Sequence, residues 1–182
     1  MMSIRPKPEI ITTETVAKSR LFQIEQVQLK FSNGEQRLYE RMKGSSRGAV
    51  MIVPVHQGKL LLIREYAVGS EKYELGFPKG LIDQGEMPIE AANRELQEEI
   101  GFAAQKLTLM KELTLAPGYF SSKMQIFIAE SLTPNWLQGD EPEPIELVPW
   151  PIEQWSDLLE REDFTESRCI SALFLAQKYL KL

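Results

Sequence analysis

The run Arg94-Glu95-Leu96-Gln97-Glu98-Glu99 constrains this chain more than any other, because it sets three carboxylates on about one and a half turns of a helix. A helix is predicted there. Pro88 suits its first turn, Ile89, Ala92, Leu96 and Ile100 recur at helical spacing, and Gly101 accepts the left-handed conformation that ends it. Glu98 and Glu99 stand three and four residues after Glu95, so all three can face one side, at a cost of a few tenths of a kcal/mol for each like-charged pair. They also sit towards the C-terminal half, where the helix dipole disfavours negative charge. Such a pattern requires either exposure to water or a compensating cation. Carboxylates are the hard oxygen ligands that Mg²⁺ prefers. Just upstream, Gly76, Gly80 and Gly85 would let backbone approach phosphate oxygens closely.

The rest of the chain reads as strands around this helix, with two helices at the end. Leu21 to Phe31 alternates apolar and polar residues, with Val27, Leu29 and Phe31 on one face. Asn33-Gly34 then signals a tight turn, both residues tolerating positive φ, and Gln36 to Met42 is the returning strand. A lone hairpin buries too little to stand alone, so this unit must dock. Ala49 to Val55 and Lys59 to Tyr66 form a second hairpin around His56-Gln57-Gly58, and Tyr73 to Phe77 is a short strand ending in a loop. Leu107 to Leu115 and Met124 to Glu130 are further strands. Thr133 to Pro149 is polar, punctuated by proline and expected to be largely loop. Pro151 to Glu160 and Thr165 to Leu182 read as helices, the last with apolar Ile170, Leu173, Phe174 and Ala176. The fold class is therefore α/β or α+β: one catalytic domain over 46–182, preceded by a small antiparallel β unit over 1–45.

A net charge of −5 argues against sequence-independent nucleic-acid binding, which needs a basic surface, and leaves phosphorylated small molecules open. Single Cys169 rules out an intrachain disulfide and suggests a reducing compartment. Met1 to Ile10 lacks the apolar stretch of a signal peptide, and no segment approaches the ~18 apolar residues of a membrane helix. The expected location is the cytoplasm, without membrane or nucleic-acid partners. No disorder is expected beyond the first few residues, where Pro6 and Pro8 interrupt a polar start.

Gly80, five residues, Glu86, seven residues, and then Arg94 to Phe102 resembles the Nudix box at every fixed position across 23 residues. The resemblance implies a Nudix hydrolase: an α/β/α sandwich with a mixed sheet that cleaves a nucleoside diphosphate linked to another moiety. It implies that Glu95 and Glu99 ligate Mg²⁺, two or more ions in all, with Mn²⁺ as a substitute. Glu98 would assist as a ligand or by ordering metal-bound water, and the backbone carbonyl of Lys79 would add a ligand. Arg94 would orient a box glutamate, and Glu86 would be structural or outer-sphere. Metals would neutralise the diphosphate and acidify an attacking water, and a carboxylate would take the proton.

Pro117, 16 residues after Gly101, resembles the marker of the ADP-ribose pyrophosphatase-like branch. Arg64-Glu65-Tyr66, Tyr73-Glu74-Leu75 and the acidic run Asp140 to Glu146 are similar to that group as well. From Thr13 to Tyr179 the chain resembles bacterial hydrolases of ADP compounds, at Thr15-Val16-Ala17, Glu40-Arg41-Met42, Ala49 to Pro54, Ile63 to Gly69, Tyr73 to Gly80 and Tyr119 to Met124. The resemblance implies cleavage of ADP-ribose, NADH and diadenosine polyphosphates with release of AMP, by a homodimer. It draws the catalytic base from outside the box, at Glu141 or Glu143, unless that loop is an ordinary solvated one. Arg37, Arg41 and Arg64 fall where the branch contacts substrate, with surface pairing as the alternative reading of Arg37 and Arg41. Tyr66, Tyr119 and Phe120 would stack on adenine or, more commonly for such residues, be buried. Two departures, Ala67 where an arginine is often found and the loop Gly76-Phe77-Pro78-Lys79-Gly80, point to a broad substrate range. The other readings are a nucleoside triphosphate pyrophosphohydrolase and a non-catalytic nucleotide sensor. His56 is expected in an exposed turn, Cys169 on a helix packing face, and Trp136, Trp150 and Trp155 against the sheet.

Overall fold

The computed structural model describes residues 5–182; the expectations for the first four residues, part of the 1–45 unit and of the disordered start, lie outside them. The chain forms two compact units. One is the described part of Met1–Ser46 with Thr114–Lys123, and the other is Arg47–Leu113 with Met124–Leu182.

The first unit is a three-stranded antiparallel sheet in the order β1-β2-β3, with β1 at Glu9–Lys18, β2 at Gln23–Lys30 and β3 at Gln36–Met42. β2 and β3 are the expected hairpin. Only Gly34 takes positive φ in its turn, at 86°, while Asn33 instead accepts the Glu35 N–H on its side-chain oxygen at 3.1 Å. β1 was not foreseen. Its residues are exposed throughout, so no alternation of apolar and polar marks it, although Ile10, Ile11, Thr12, Thr13, Thr15 and Val16 are β-branched and suit a pleated strand. Val27 is buried and Glu25 is only 6% exposed. The segment 114–123 closes onto this sheet: Met42 N–H donates to Tyr119 O at 2.7 Å and Ser121 N–H donates to Met42 O at 3.2 Å.

The second unit carries a seven-stranded mixed sheet. Its path is β10 (Glu146–Pro151), β5 (Lys59–Ala67), β4 (Ala49–His56), β9 (Lys123–Pro134), β8 (Phe102–Thr114), with β6 (Lys72–Gly76) on β5 and β7 (Lys79–Leu81) on β4. β4 runs parallel to β9, with Ala49 opposite Met124 and Ile52 opposite Phe127. Its other edge takes β7 over Ala49–Met51 and β5 at Val55 and His56. Gln57 and Gly58, both at positive φ, make the two-residue turn of the β4–β5 hairpin. Buried on both faces, β4 is a near-continuous apolar run, Ala49 to Val53.

Helix α1 (Pro88–Glu99) packs Ala91, Ala92 and Leu96 into the same core as Val50, Ile52, Leu61, Ile63 and Phe127. Burial of these side chains from water is the main stabilising term, at roughly 25 cal/mol per Å² of apolar surface. Ile89 is exposed rather than on this face; Ala91 fills the place expected of it. α2 (Ser167–Leu180) buries Cys169, Ala172, Leu173 and Ala176, while Phe174 lies 46% exposed beside Trp155.

Four further expectations are corrected. The stretch predicted as loop to Pro149 contains β10; Pro149 and Pro151 are tolerated because the strand lies at the sheet edge. Pro151 to Glu160 is a 3₁₀ segment, Ile152–Glu160, broken by non-helical Gln154, instead of an α-helix. Trp136 is 68% exposed instead of packed, whereas Trp150 lies under the Arg161 guanidinium at 5.5 Å. His56 ends a strand and packs on Phe102 at 5.1 Å. Among the described residues, no helix is long and apolar enough to cross a membrane.

Candidate active site

α1 presents its carboxylates towards β7 because its own geometry leaves no alternative. Pro88 occupies the first turn, Glu90 accepts the Met87 N–H at 2.9 Å, and Gly101 (φ 74°) follows the cap. With Leu96 facing the core, residues 95 and 99 flank it on the buried side. Glu95 and Glu99 are accordingly 7% and 9% exposed, which is unusual for charged residues. Gly80 on β7 makes room for them: a Cβ there would overlap the Glu95 carboxylate. Glu99 Oε2 accepts the Lys79 N–H at 3.1 Å.

Arg94 organises the cluster. Its Nε and Nη2 hold Glu86 in a fork at 2.9 and 3.0 Å, Nη1 reaches Glu95 at 2.7 Å and Glu98 at 2.9 Å, and Nη2 also donates to Leu81 O at 2.9 Å. One guanidinium thus ties three glutamates to the β7 backbone. Glu86 in turn accepts the Asp83 N–H at 2.9 Å, and its hydrogen bonds with Arg94 hold its carboxyl below the usual range.

Burial pushes the Glu99 carboxyl up to about 9, against the partly offsetting charge of Lys79 and with the nearby Glu95 adding to the rise. Glu95 is raised too, first by burial, with the Arg94 hydrogen bond opposing and the charges of Glu98 and Glu141 reinforcing. Lys79 Nζ pairs with Glu65 at 2.7 Å; burial works against the ammonium, but Glu65 outweighs it and keeps the pKa raised.

Among the described residues, no three acidic, histidine or cysteine side chains already surround one point, because Arg94 draws Glu95 and Glu98 while Glu99 turns to Lys79. The donor set nonetheless fits a hard divalent cation. It is all oxygen, it is sunk where an uncompensated carboxylate is costly, and Gly80 keeps the approach clear.

Beyond α1, a cavity of about 510 Å³ is lined by Glu98, Glu99, Trp136, Gln138, Glu141 and Glu143. Both loop glutamates singled out from sequence therefore share a cavity with two box glutamates. A neighbouring pocket of about 290 Å³ is lined by Arg64, Tyr66, Tyr73, Glu141, Glu143 and Ile145. Arg64 reaches it while engaged with Glu146 at 3.1 Å and with Asp163. Tyr66 is 47% exposed there, against the expectation of burial.

The remaining sequence-predicted residues belong to the first unit. Arg41 and Pro117 line one groove of about 470 Å³ with Tyr39 and Phe120. Arg41 is tied to Glu25 at 2.9 Å, and Lys43 to the same carboxylate at 3.1 Å; their hydrogen bonds hold Glu25 below the usual carboxylate range. Arg37 pairs with Glu35 at 2.7 Å on its own hairpin. Tyr119 is 64% exposed, again not buried. Two contributors were missed from sequence: the Lys79 side chain with Glu65, and Tyr73, whose phenol donates to Glu143 at 2.6 Å.

Residues 8–41 match the NudE-type Nudix hydrolase N-terminal domain, and residues 45–171 match the NUDIX domain. The ADP compounds hydrolase NudE of Escherichia coli (strain K12) is 60% identical over 175 residues, covering 96% of this chain and 94% of that one. The ADP-ribose pyrophosphatase of Bacillus subtilis (strain 168) is 28% identical over 178 residues, covering 93% and 92%. A crystal structure of an ADP compounds hydrolase superposes with a TM-score of 0.94 at 59% identity, covering 98% of this chain and 97% of that one.

Proposed function

This chain belongs to the Nudix hydrolases of the NudE type and is an ADP compounds hydrolase, and from that premise we propose that it cuts the phosphoanhydride of ADP-ribose, NADH and diadenosine polyphosphates with Mg²⁺, releasing AMP. The observation that carries the reading is the buried pair Glu95 and Glu99, the first held by Arg94 against Gly80 and the second by the Lys79 N–H, beside a cavity lined by Glu98, Glu99, Glu141 and Glu143.

Nudix hydrolases generally use divalent metal ions. Glu95, Glu98, Glu99 and the Lys79 carbonyl would hold Mg²⁺, or Mn²⁺ in its place. Once bound, the ions neutralise the diphosphate and lower the pKa of an attacking water. Arg94 keeps Glu95 and Glu98 oriented without touching substrate, and the fork to Glu86 keeps Arg94 in place. Glu141 or Glu143 takes the proton from the attacking water, since both reach the cavity. Arg64, at the neighbouring pocket, serves the substrate's second half. Arg37, Arg41, Pro117 and Tyr119 form the substrate-contacting part of the 1–45 unit and its associated segment.

The same unit pairs two copies into a homodimer. Ile10, Leu21, Phe22 and Leu38 are each more than half exposed on it, an apolar surface that association would cover. Light scattering showing a monomer at working concentrations would remove the dimer. The cytoplasm is the expected compartment.

The activity itself is tested by incubating purified protein and MgCl₂ with ADP-ribose, NADH, diadenosine polyphosphates and nucleoside triphosphates, in ¹⁸O-labelled water. AMP from the first three is the expected product. Pyrophosphate from the triphosphates as the dominant product would replace this reading with a triphosphate pyrophosphohydrolase.

A further inference from the structure

Tyr73 and Glu143 are 70 positions apart in sequence, and the Tyr73 phenol donates to Glu143 Oε1 at 2.6 Å. The two ends of this contact are not equally anchored. Tyr73 stands on β6, whose last two residues Leu75 and Gly76 are buried and whose Leu75 N–H donates to Asp163 O at 2.7 Å. Its ring packs edge-on against its cross-strand neighbour Tyr66, centroids 5.4 Å apart. Glu143, in contrast, lies in the irregular segment between β9 and β10. Where it begins, that segment is tied to α1 through Leu137 N–H to Gln97 O at 3.1 Å and to the glycine after its cap through Asn135 N–H to Gly101 O at 2.9 Å.

Between the α1 tie and the Tyr73 tie lie Gln138 to Pro142, and Glu141 among them lines the 510 Å³ cavity with Glu98 and Glu99. Pro142 and Pro144 flank Glu143 and fix φ on either side, so restraining Glu143 restrains its neighbours. The Glu143 oxygen that accepts the Tyr73 O–H is engaged by that hydrogen bond. Glu143 lines the same cavity but is occupied by Tyr73, which leaves Glu141 as the loop carboxylate there that the latch does not engage.

We infer that Tyr73 is a positioning residue: it latches Glu143 to β6, anchors the acidic loop, and leaves Glu141 as the loop carboxylate that acts at the Glu98–Glu99 cavity. This rests on the hydrolase reading above.

The test combines kinetics with hydrogen–deuterium exchange on the full chain. Tyr73→Phe keeps the ring and removes only the donor, and Glu143→Gln weakens the acceptor. Each should lower kcat with AMP-releasing substrate about tenfold, the order expected for one lost hydrogen bond to a charged group, and leave KM within about twofold. The double variant should be no slower than either single one. Glu141→Gln should lose at least about a hundredfold, the range of a general base. The peptide spanning residues 137–145 should exchange faster in Tyr73→Phe than in wild type. The proposal is overturned by unchanged exchange in that peptide, by additive losses in the double variant, or by Glu143→Gln being more damaging than Glu141→Gln. If wild type released no AMP, the hydrolase reading would fail on its own account, while the exchange measurement would still decide the latch.

Discussion

Gly80 of β7 and Glu95 of α1 approach so closely that a single methyl group on Gly80 would overlap the Glu95 carboxylate. Gly80 is therefore needed for space, not for backbone conformation, since its φ is not among the positive ones. Gly80→Ala should expel Glu95 from its place, costing about 1–3 kcal/mol as an overpacked site and most of the divalent-dependent turnover. Calorimetry and AMP release measure the two effects. A variant of full activity would mean that Glu95 works from another position.

Arg94 holds Glu86, Glu95, Glu98 and Leu81 O with a planar fork that lysine lacks. Arg94→Lys keeps the charge and loses the geometry. We expect kcat to fall by about 10- to 100-fold with little change in substrate KM, and stability to fall by about 1–2 kcal/mol. Equal losses from Arg94→Lys and Arg94→Ala would confirm that geometry is what matters, whereas an active lysine variant would show that charge suffices.

Glu99 links pH to stability. An unfolded glutamate titrates near 4.5, whereas burial holds the folded one near 9. Between those values the folded state keeps a proton that the unfolded state has lost, so stability falls as pH rises through the window. In chelator at about pH 8, Glu99→Gln should melt several degrees above wild type, roughly 3–8 °C for a chain this size, and at about pH 4 the difference should vanish. Added Mg²⁺ should raise the wild-type midpoint and leave the variant behind. A wild-type midpoint that is flat across the window would contradict the assignment.

Cys169 is buried beneath β6 with its thiol pushed up to about 12, chiefly by burial, and with the Phe77 N–H on its sulfur at 3.4 Å. It stays a protonated thiol throughout the neutral range. Iodoacetamide at about pH 8 should leave the folded protein unlabelled and modify it once guanidinium chloride is added. Rapid labelling of native protein would show that α2 opens readily.

What sequence made visible depends on the range of the interaction. The helix carrying Arg94 to Glu99 was legible because periodicity, Pro88 and Gly101 are local signals, and the pairing of Arg94 with box glutamates followed from the resemblance. Ile89 was misplaced since one apolar residue on the rim of a helix face matches the pattern whether or not it is buried. β1 escaped notice because both its faces are exposed, and β10 because its prolines resemble loop punctuation until an edge position excuses them. Tyr73 with Glu143, and Lys79 with Glu65, are pairings of distant segments that no window of sequence contains. The burial of Glu25 in the N-terminal sheet was hidden for the same reason: Arg41 and Lys43 pair with it across 16 positions or more.

The parallel pairing of β4 with β9 also fixes the timing of assembly. Ala49 meets Met124 only after the helix and β8 have been made, so the centre of the second unit cannot close on a nascent chain that stops short of β9. Non-local pairing of this kind is paid for in loop-closure entropy before any contact rewards it, which slows folding relative to helical domains. Until β9 leaves the ribosome, the apolar run Ala49 to Val53 remains without a partner along one edge. The core that seats the glutamates is therefore also late to close during synthesis.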